Sequence, residues 1–192
     1  MTGPTPRQAA ARRSLRHFYR EVDREVRRVS AASGLRLRCR RGCACCCIDG
    51  VMVLPVEAEA IRESRGGMLG SQEPGAEGAC AMLSPDGACR IYDDRPYVCR
   101  AQGLPLRWIE EVDGEPGWME KRDICSLNHP AGTPLELLPP EACWTIGPFE
   151  ERLARLQAAC GSRDTRRIPL RGLFGRAGSP GREDLFAGGG LE

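Results

Sequence analysis

The stretch that decides the fold of this 192-residue chain is Cys39–Cys47, which reads Cys-Arg-Arg-Gly-Cys-Ala-Cys-Cys-Cys. Isolated cysteines are often buried as small apolar side chains, but this does not account for four cysteines in the last five positions. Thiolates two or three residues apart can wrap one centre, because the permissive backbone of Gly42 lets the loop turn their side chains inward. The stretch therefore predicts a metal-binding loop.

Four cysteines further along the chain extend the candidate ligand set. Two of them flank a predicted turn, one lies on a predicted short helix and one follows in a loop. Folding would have to bring these distant thiols close to the first loop. Eight thiolates are enough for two four-thiolate metal sites, or for one cluster and a second metal. The predicted ligands are Cys39, Cys43, Cys46, Cys47, Cys80, Cys89, Cys99 and Cys125.

The eleven cysteines also bear on the compartment. The N-terminal residues include arginines but no apolar core of a secretory signal, and no apolar run approaches the roughly 20 residues that span a bilayer. We therefore expect a cytoplasmic protein with no membrane partner. Disulfides are rare in a reducing compartment, so dense cysteine there indicates metal or redox chemistry.

The spacing of the first cysteines leaves iron and zinc open. Structural zinc sites usually present two Cys-x2-Cys pairs, whereas only Cys43 and Cys46 approach that arrangement here. Together with Cys39 they also have the spacing of radical S-adenosylmethionine enzymes. Those enzymes need a large α/β barrel, for which this chain is too short. They also hold a cluster through three thiolates with one iron left open, and Cys47 could occupy that iron. An iron–sulfur cluster is the favoured cofactor, and zinc is the alternative.

Three blocks of sequence together resemble the YkgJ-type cysteine-cluster proteins. They are the loop of residues 39–47 with the segment 51–58 after it, the segment 87–100, and Cys125-Ser-Leu-Asn128. This family is described as a zinc- or iron-chelating domain and sometimes as an iron–sulfur oxidoreductase. The resemblance implies that the eight predicted ligands hold the metal, and it leaves Cys45, Cys143 and Cys160 outside the ligand set.

Charge is nearly balanced over the whole chain, at +2, but it is unevenly distributed. Residues 1–41 hold twelve arginines against three acidic residues. Such a segment could bind an acidic partner or nucleic acid, or it could be the solvated face of a helix in an arginine-rich protein. We favour the solvated face, allow a protein partner, and do not expect a nucleic-acid partner.

The sequence predicts an α+β fold, a small irregular metal-organised domain with short β-hairpins and flanking helices. Apolar residues recur every three or four positions from Pro6 to Ser33, which indicates an amphipathic helix. The other predicted elements are a strand at 51–54, a helix from Pro55 that stops at Gly66-Gly67, hairpins over 80–92 and 104–121, and helices over 95–99 and 149–160.

The domain organisation is predicted in four parts. Residues 1–34 form a basic helix of the same domain, residues 35–130 the cysteine-cluster domain, and residues 131–160 a helical segment. Residues 161–192 are rich in arginine and glycine and poor in apolar residues, so a flexible tail is expected. Residues 66–79 are predicted to form a mobile loop.

The functional hypothesis that follows is a metal-binding protein that holds an iron–sulfur cluster or other iron for electron transfer or another redox role. The alternative is a structural zinc module that acts as an adaptor for a protein or nucleic-acid partner. Arg95 and Arg100 could donate to cluster sulfurs, bind an anion, or pair with Asp93 or Asp94. No hydrolytic triad, phosphate loop or carboxylate pair stands out, so no catalytic residue is assigned and the enzyme question is left open.

Overall fold

Helix α1 (Pro6–Ala32) confirms the first predicted element. The computed structural model describes residues 5–112, 117–129, 134–160 and 166–175. Thr5 caps the helix by accepting from the backbone N–H of Gln8, whose side chain accepts from the backbone N–H of Thr5 in return. This reciprocal arrangement satisfies two donors that a helix start otherwise leaves unpaired. The buried stripe of α1 consists of Leu15, Phe18, Val22 and Val29.

A first core forms where this stripe meets helix α4 (Pro148–Ala159). The ring centroids of Phe18 and Tyr97 lie 5.7 Å apart, and those of Trp144 and Phe149 lie 4.8 Å apart in a stacked arrangement. The indole N–H of Trp144 donates to the Tyr97 hydroxyl at 3.2 Å, so this buried polar group is paired. The chain is poor in aromatic residues, but it concentrates four of them here, where large rings bury the most apolar area.

Helix α2 (Pro55–Ser71) begins where predicted, with Pro55 at its first position. The predicted stop at Gly66 and Gly67 is wrong, because the helix continues through both residues. Leu69, which is 3% exposed, anchors the additional turn in a second core. Its burial outweighs the roughly 1 kcal/mol by which a glycine weakens a helix interior.

The second core lies between α2 and the cysteine-bearing loops. Its apolar members are Val53, Ala58, Ile61, Leu69, Met82, Ile91, Leu170 and Leu173. Cys80 is buried within it, and Cys47 and Cys89 pack against it. Part of the cysteine constellation is therefore supported by this core.

The described residues contain five short strands: β1 (Met52–Val53), β2 (Leu106–Glu111), β3 (Trp118–Asp123), β4 (Trp144–Thr145) and β5 (Ile168–Pro169). Strands β2 and β3 pair antiparallel, which confirms the predicted second hairpin, and β4 joins β2 in parallel. Strands β1 and β5 form a separate antiparallel pair. Short strands flanked by helices confirm the predicted α+β class.

The predicted hairpin over residues 80–92 is mostly a tight turn. The backbone N–H of Ser84 donates to Ala88 O at 2.9 Å, and a single antiparallel bridge joins Leu83 to Cys89. The pairing ends there because the chain turns into a 3-10 helix at Tyr92–Asp94. Helix α3 (Tyr97–Arg100) follows, with Pro96 as its N-cap.

Residues 166–175, which we name the C-terminal strap, contradict the predicted flexible tail. Leu170 and Leu173 are only 2% and 5% exposed and belong to the second core, while β5 pairs with β1. The prediction used the average composition of residues 161–192, which is rich in arginine and glycine and does not reveal the local group of apolar residues in the strap. The remainder of the predicted tail, 161–165 and 176–192, lies outside the described residues.

The segment before α4 consists of 3-10 turns at Leu135–Leu137 and Pro140–Ala142. It leads into α4 over Pro148–Ala159, as predicted for the C-terminal helical segment. None of the described helices is long and apolar enough to cross a membrane.

Candidate metal centre

The predicted ligands fall into two neighbouring groups of four. Thiolates that lie close together repel one another and raise each other's pKa, so these effects identify neighbours. Burial raises the pKa of Cys39, and three other cysteines add to the rise. We name these four residues the first thiol group: Cys39, Cys43, Cys46 and Cys125. The second thiol group comprises Cys47, Cys80, Cys89 and Cys99.

Asn128 anchors the first thiol group through the sulfur of Cys39. Its side-chain Nδ2 donates to Cys39 Sγ at 3.1 Å and to Gly103 O at 2.8 Å, while its Oδ1 accepts from the backbone N–H of Arg38 at 2.7 Å. Asn128 is 5% exposed, and these bonds use both ends of its amide. Burial raises the pKa of Cys39 and the Asn128 donor opposes that rise, so the amide favours the thiolate that binds metal.

Gly103 allows this close approach. Its φ is +91°, and a Cβ at this position would lie 2.1 Å from Cys39 Sγ and 3.1 Å from Asn128 Nδ2. A left-handed backbone and a space this small both require glycine. The position of the Cys39 sulfur therefore depends on a residue that contributes no side chain.

Cys45 lies beside the first thiol group, although the eight-cysteine pattern excludes it. A hydrogen bond to the Cys125 sulfur raises the pKa of Cys45, so Cys45 is the donor. Both residues, with Cys46 and Ser126, line a cavity of about 230 Å³. By position Cys45 is a ninth thiol of this region.

The second thiol group is more deeply set. Burial raises the pKa of Cys99 to about 12, and repulsion from Cys80 and Cys89 adds to the effect. Burial also raises the pKa of Cys80. The two loops that carry Cys47 and Cys80 are joined directly, since the backbone N–H of Cys80 donates to Cys47 O at 3.0 Å.

Cys46 and Cys47 link the two groups through one peptide bond. A hydrogen bond from the Cys47 thiol lowers the pKa of Cys46 to about 6, and the nearby Arg95 guanidinium contributes to this. The same bond raises the pKa of Cys47, so Cys46 is the thiol of the pair that more readily becomes a thiolate. Cys39, Cys46 and Cys99 line a common cavity of about 260 Å³, which places members of both groups around one space.

Arg171 of the strap holds together the loops that carry the second thiol group. Its guanidinium donates to both carboxylate oxygens of Asp49, at 3.2 and 2.7 Å. It also donates to three backbone carbonyls between Gly75 and Ala79, at 2.8 to 3.0 Å. These bonds join the chain just after Cys47 to the chain just before Cys80.

Glu57 fixes the start of the helix that carries Cys99. This carboxylate is 3% exposed, and its Oε1 accepts from the Tyr97 backbone N–H at 2.8 Å and from the Tyr19 hydroxyl at 2.9 Å. Its Oε2 accepts from the backbone N–H of Leu54 at 3.2 Å. One buried side chain thereby ties the N-termini of α2 and α3 to α1.

The two arginines around Cys99 serve the scaffold. Arg95 stacks over Tyr92, with 4.0 Å from its guanidinium carbon to the ring centroid. Arg100 donates to both carboxylate oxygens of Asp23 at 2.9 Å and lies 4.1 Å over the Tyr19 ring. Neither forms an ion pair with Asp93 or Asp94 in the part of the chain that the structure describes; those residues pair with Arg41 and Arg65. Of the alternatives predicted for these arginines, ion pairing with Asp93 or Asp94 is therefore excluded for the described residues, and Arg100 pairs instead with Asp23 of α1.

The donor set suits a thiophilic metal, because clustered soft thiolates select zinc or iron–sulfur clusters over magnesium and calcium. All eleven cysteines lie in the described residues as free thiols. No three Cys, His, Asp or Glu side chains among those residues converge closely enough to hold a metal ion as they stand. Cys39 and Cys46 are exposed, and Cys43 and Cys47 are half-buried.

Sequence reasoning missed the residues that position the thiols. Gly103 and Arg171 carry no metal-binding signal, and Asn128 was noted only as part of a block. A glycine soon after Cys99 was the one local hint of a close approach. Cys143 lies beside Arg122, and Cys160 follows the last residue of α4.

The described residues form an α+β domain in which Cys47, Cys80 and Cys89 pack in or against the second core. Residues 38–126 match the model of the CxxCxxCC family, described as "Putative zinc- or iron-chelating domain". The match agrees with the family resemblance found in the sequence, and the matched segment contains all eight predicted ligands. The searches of curated proteins and of solved structures gave no match.

Proposed function

We propose that the protein holds iron through its cysteines, as an iron–sulfur cluster, and serves electron transfer or another redox role in the cytoplasm. The first thiol group would form one four-thiolate ligand set and the second thiol group another. The observation that carries the proposal is the hydrogen bond from Asn128 Nδ2 to Cys39 Sγ, at 3.1 Å. Hydrogen bonds to ligand sulfurs and the burial of the site set the potential of such clusters.

The chain's own residues would prepare the thiols for this task. When bound, a fully cysteine-ligated cluster supplies one-electron transfer and leaves no iron position for a substrate. Asn128 would hold negative charge on Cys39, and the Arg95 guanidinium would favour the thiolate of Cys46. Burial of Cys80 in the second core, with Cys47 and Cys89 packed against it, would keep water away from one side of the site.

The deciding experiment measures iron, acid-labile sulfide, zinc and the visible spectrum of protein purified without oxygen. We expect iron and sulfide with broad absorption in the blue. Cys46→Ser should bleach the protein, whereas Cys160→Ser is the matched control outside the pattern and should keep the colour. Colourless protein with stoichiometric zinc would overturn the iron proposal.

A structural zinc module is the second candidate. It is supported by the lack of regular structure in the ligand-bearing loops over residues 38–50 and 73–91, where turns and isolated bridges predominate. Loops of this kind are typical of domains in which zinc binding supplies folding free energy. A chelator should then unfold this region, seen as lost circular dichroism, and re-addition of zinc should restore it. Basic helix α1 would be the adaptor surface of such a module.

A further inference from the structure

A groove lies between α1 and α2, lined also by Asp93, Asp94 and Arg100, and no cysteine among the described residues lines it. It has a volume of about 640 Å³. Leu15 and Ile61 lie at its base, beside the small side chains of Ala9 and Ala60. Charged side chains form its walls, so the groove offers an apolar strip between two charged edges.

The acidic side chains of the groove are already neutralised. Each of the four carboxylates that line it forms an ion pair with an arginine. The pairs are Asp23–Arg100 at 2.9 Å, Asp93–Arg41 at 3.0 Å, Asp94–Arg65 at 2.5 Å, and Glu63–Arg12. None of these carboxylates is therefore left to neutralise a further cation.

Three arginines on the α1 wall have no such partner. Arg13, Arg16 and Arg20 line the groove, are exposed, and form no hydrogen bond or ion pair within the described residues. Steps of three and four along a helix place them in one row. The row is about 10 Å long at 1.5 Å of rise per residue. Guanidinium groups bind carboxylates through two parallel N–H donors, so the row is a ready set of carboxylate receptors.

We propose that this groove binds an extended acidic segment of a partner protein. Alternate side chains of an extended segment lie about 6.6 Å apart on one face, so about five residues place three carboxylates along the arginine row. Carboxylates of the segment would lie on Arg13, Arg16 and Arg20, and small apolar side chains between them would contact Ala9 and Ala60. The proposal does not rest on the identity of the metal.

The test uses the full-length, metal-loaded protein and a fluorescein-labelled peptide, Glu-Ala-Glu-Ala-Glu-Ala, with fluorescence anisotropy as the readout. The variant Arg13→Gln/Arg16→Gln/Arg20→Gln should weaken binding at least tenfold. The control variant Arg7→Gln/Arg27→Gln/Arg62→Gln removes the same charge from exposed positions outside the groove and should change binding less than twofold. Circular dichroism checks that both variants keep their helices.

Each other result counts against the proposal. Equal weakening in the two variants would mean that only overall charge attracts the peptide. No binding of the peptide at millimolar protein would remove the site. Equal binding of the glutamine version of the peptide would exclude carboxylate recognition, and tighter groove-dependent binding of a single-stranded RNA hexamer would assign the groove to nucleic acid instead.

Discussion

The two thiol groups have the same donor atoms but are positioned by different chemistry. Asn128, a buried neutral amide, and the side-chain-free Gly103 position the sulfur of Cys39 in the first thiol group. The loops of the second thiol group are held by an ion pair between Arg171 and Asp49, whose side chains are about one-third exposed. The amide of Asn128 carries no charge of its own, whereas the partly exposed ion pair of Arg171 and Asp49 is weakened by salt and by protonation of the carboxylate. The comparison indicates that the first thiol group is held rigidly, whereas salt or acid can loosen the loops of the second thiol group.

The largest effect on stability and metal content is expected from Gly103→Ala, which changes the support of Cys39 in the first thiol group. The new Cβ would lie 2.1 Å from Cys39 Sγ on a backbone with φ +91°. Strained backbone and overpacking together should cost about 2–5 kcal/mol in the free energy of unfolding. Thermal melts and metal analysis should show lower stability and loss of metal from the first thiol group.

Gly66→Ala is the matched control for that substitution. Gly66 lies inside α2, and a Cβ there would meet nothing within 4 Å. Replacing an exposed helical glycine by alanine should stabilise the protein by up to about 1 kcal/mol. Similar destabilisation by both substitutions would show that the fold tolerates no added Cβ in general, and Gly103 would lose its special role.

The next effect is expected from Asn128→Leu, which keeps the volume but removes the amide. Gly103 O and the backbone N–H of Arg38 would lose their buried partners. Unpaired buried groups of this kind cost about 1–3 kcal/mol. With a cluster bound, loss of the N–H donor to Cys39 Sγ should also lower the reduction potential, measured by redox titration, because the anionic sulfur loses a stabilising dipole. An unchanged potential would leave Asn128 with a structural role alone.

Arg171→Met should loosen the second thiol group and spare the first. The loops around Asp49 and Gly75–Ala79 would lose the donors that join them to the strap. We expect lower metal content, faster proteolysis of the strap and normal behaviour of Cys39 towards alkylation after metal removal. Arg167→Met is the control, because Arg167 is an exposed strap residue with no hydrogen bond or ion pair in the described part of the chain. Equal effects of the two substitutions would contradict a specific role for Arg171.

The smallest effect on stability is expected at low pH, where protonation of Asp49 weakens its pairing with Arg171 of the strap. Hydrogen bonds from Arg171 and from the Gly50 N–H hold the pKa of Asp49 below its usual range. A carboxylate with a depressed folded pKa stabilises the fold above its unfolded pKa of about 4, and this contribution is lost as the pH falls through the folded value. Hydrogen-exchange protection factors of the strap in metal-free protein, which correct for the intrinsic pH dependence of exchange, should therefore be steady near neutrality and fall below about pH 4.

Asp49→Asn tests the assignment of that acid effect. Glu77 also acts on Arg171, so the variant should reduce the acid response without removing it. Metal-free protein is required because protons displace metal from thiolates at low pH. An acid response as large as that of the unsubstituted protein would show that Asp49 is not its source.

Local features of the chain were predictable from sequence. The three-to-four repeat of α1, the proline at the start of α2 and the hairpin of β2 with β3 depend on neighbouring residues, and the structure confirms them. The errors lie where distant packing outweighs local preference. Burial of Leu69 in the second core extends α2 through Gly66 and Gly67. Burial of Leu170 and Leu173 in the same core holds the C-terminal strap in place.

The sequence by itself determined the chemistry of the centre, since a run of cysteines near position 45 is a soft-donor set whatever surrounds it. Tertiary structure decided which thiols are neighbours and what holds them. Asn128 meets Cys39 across 89 positions of the chain, and Arg171 meets Asp49 across 122. Contacts at such separations depend on the path of the whole backbone, which local residue patterns do not encode.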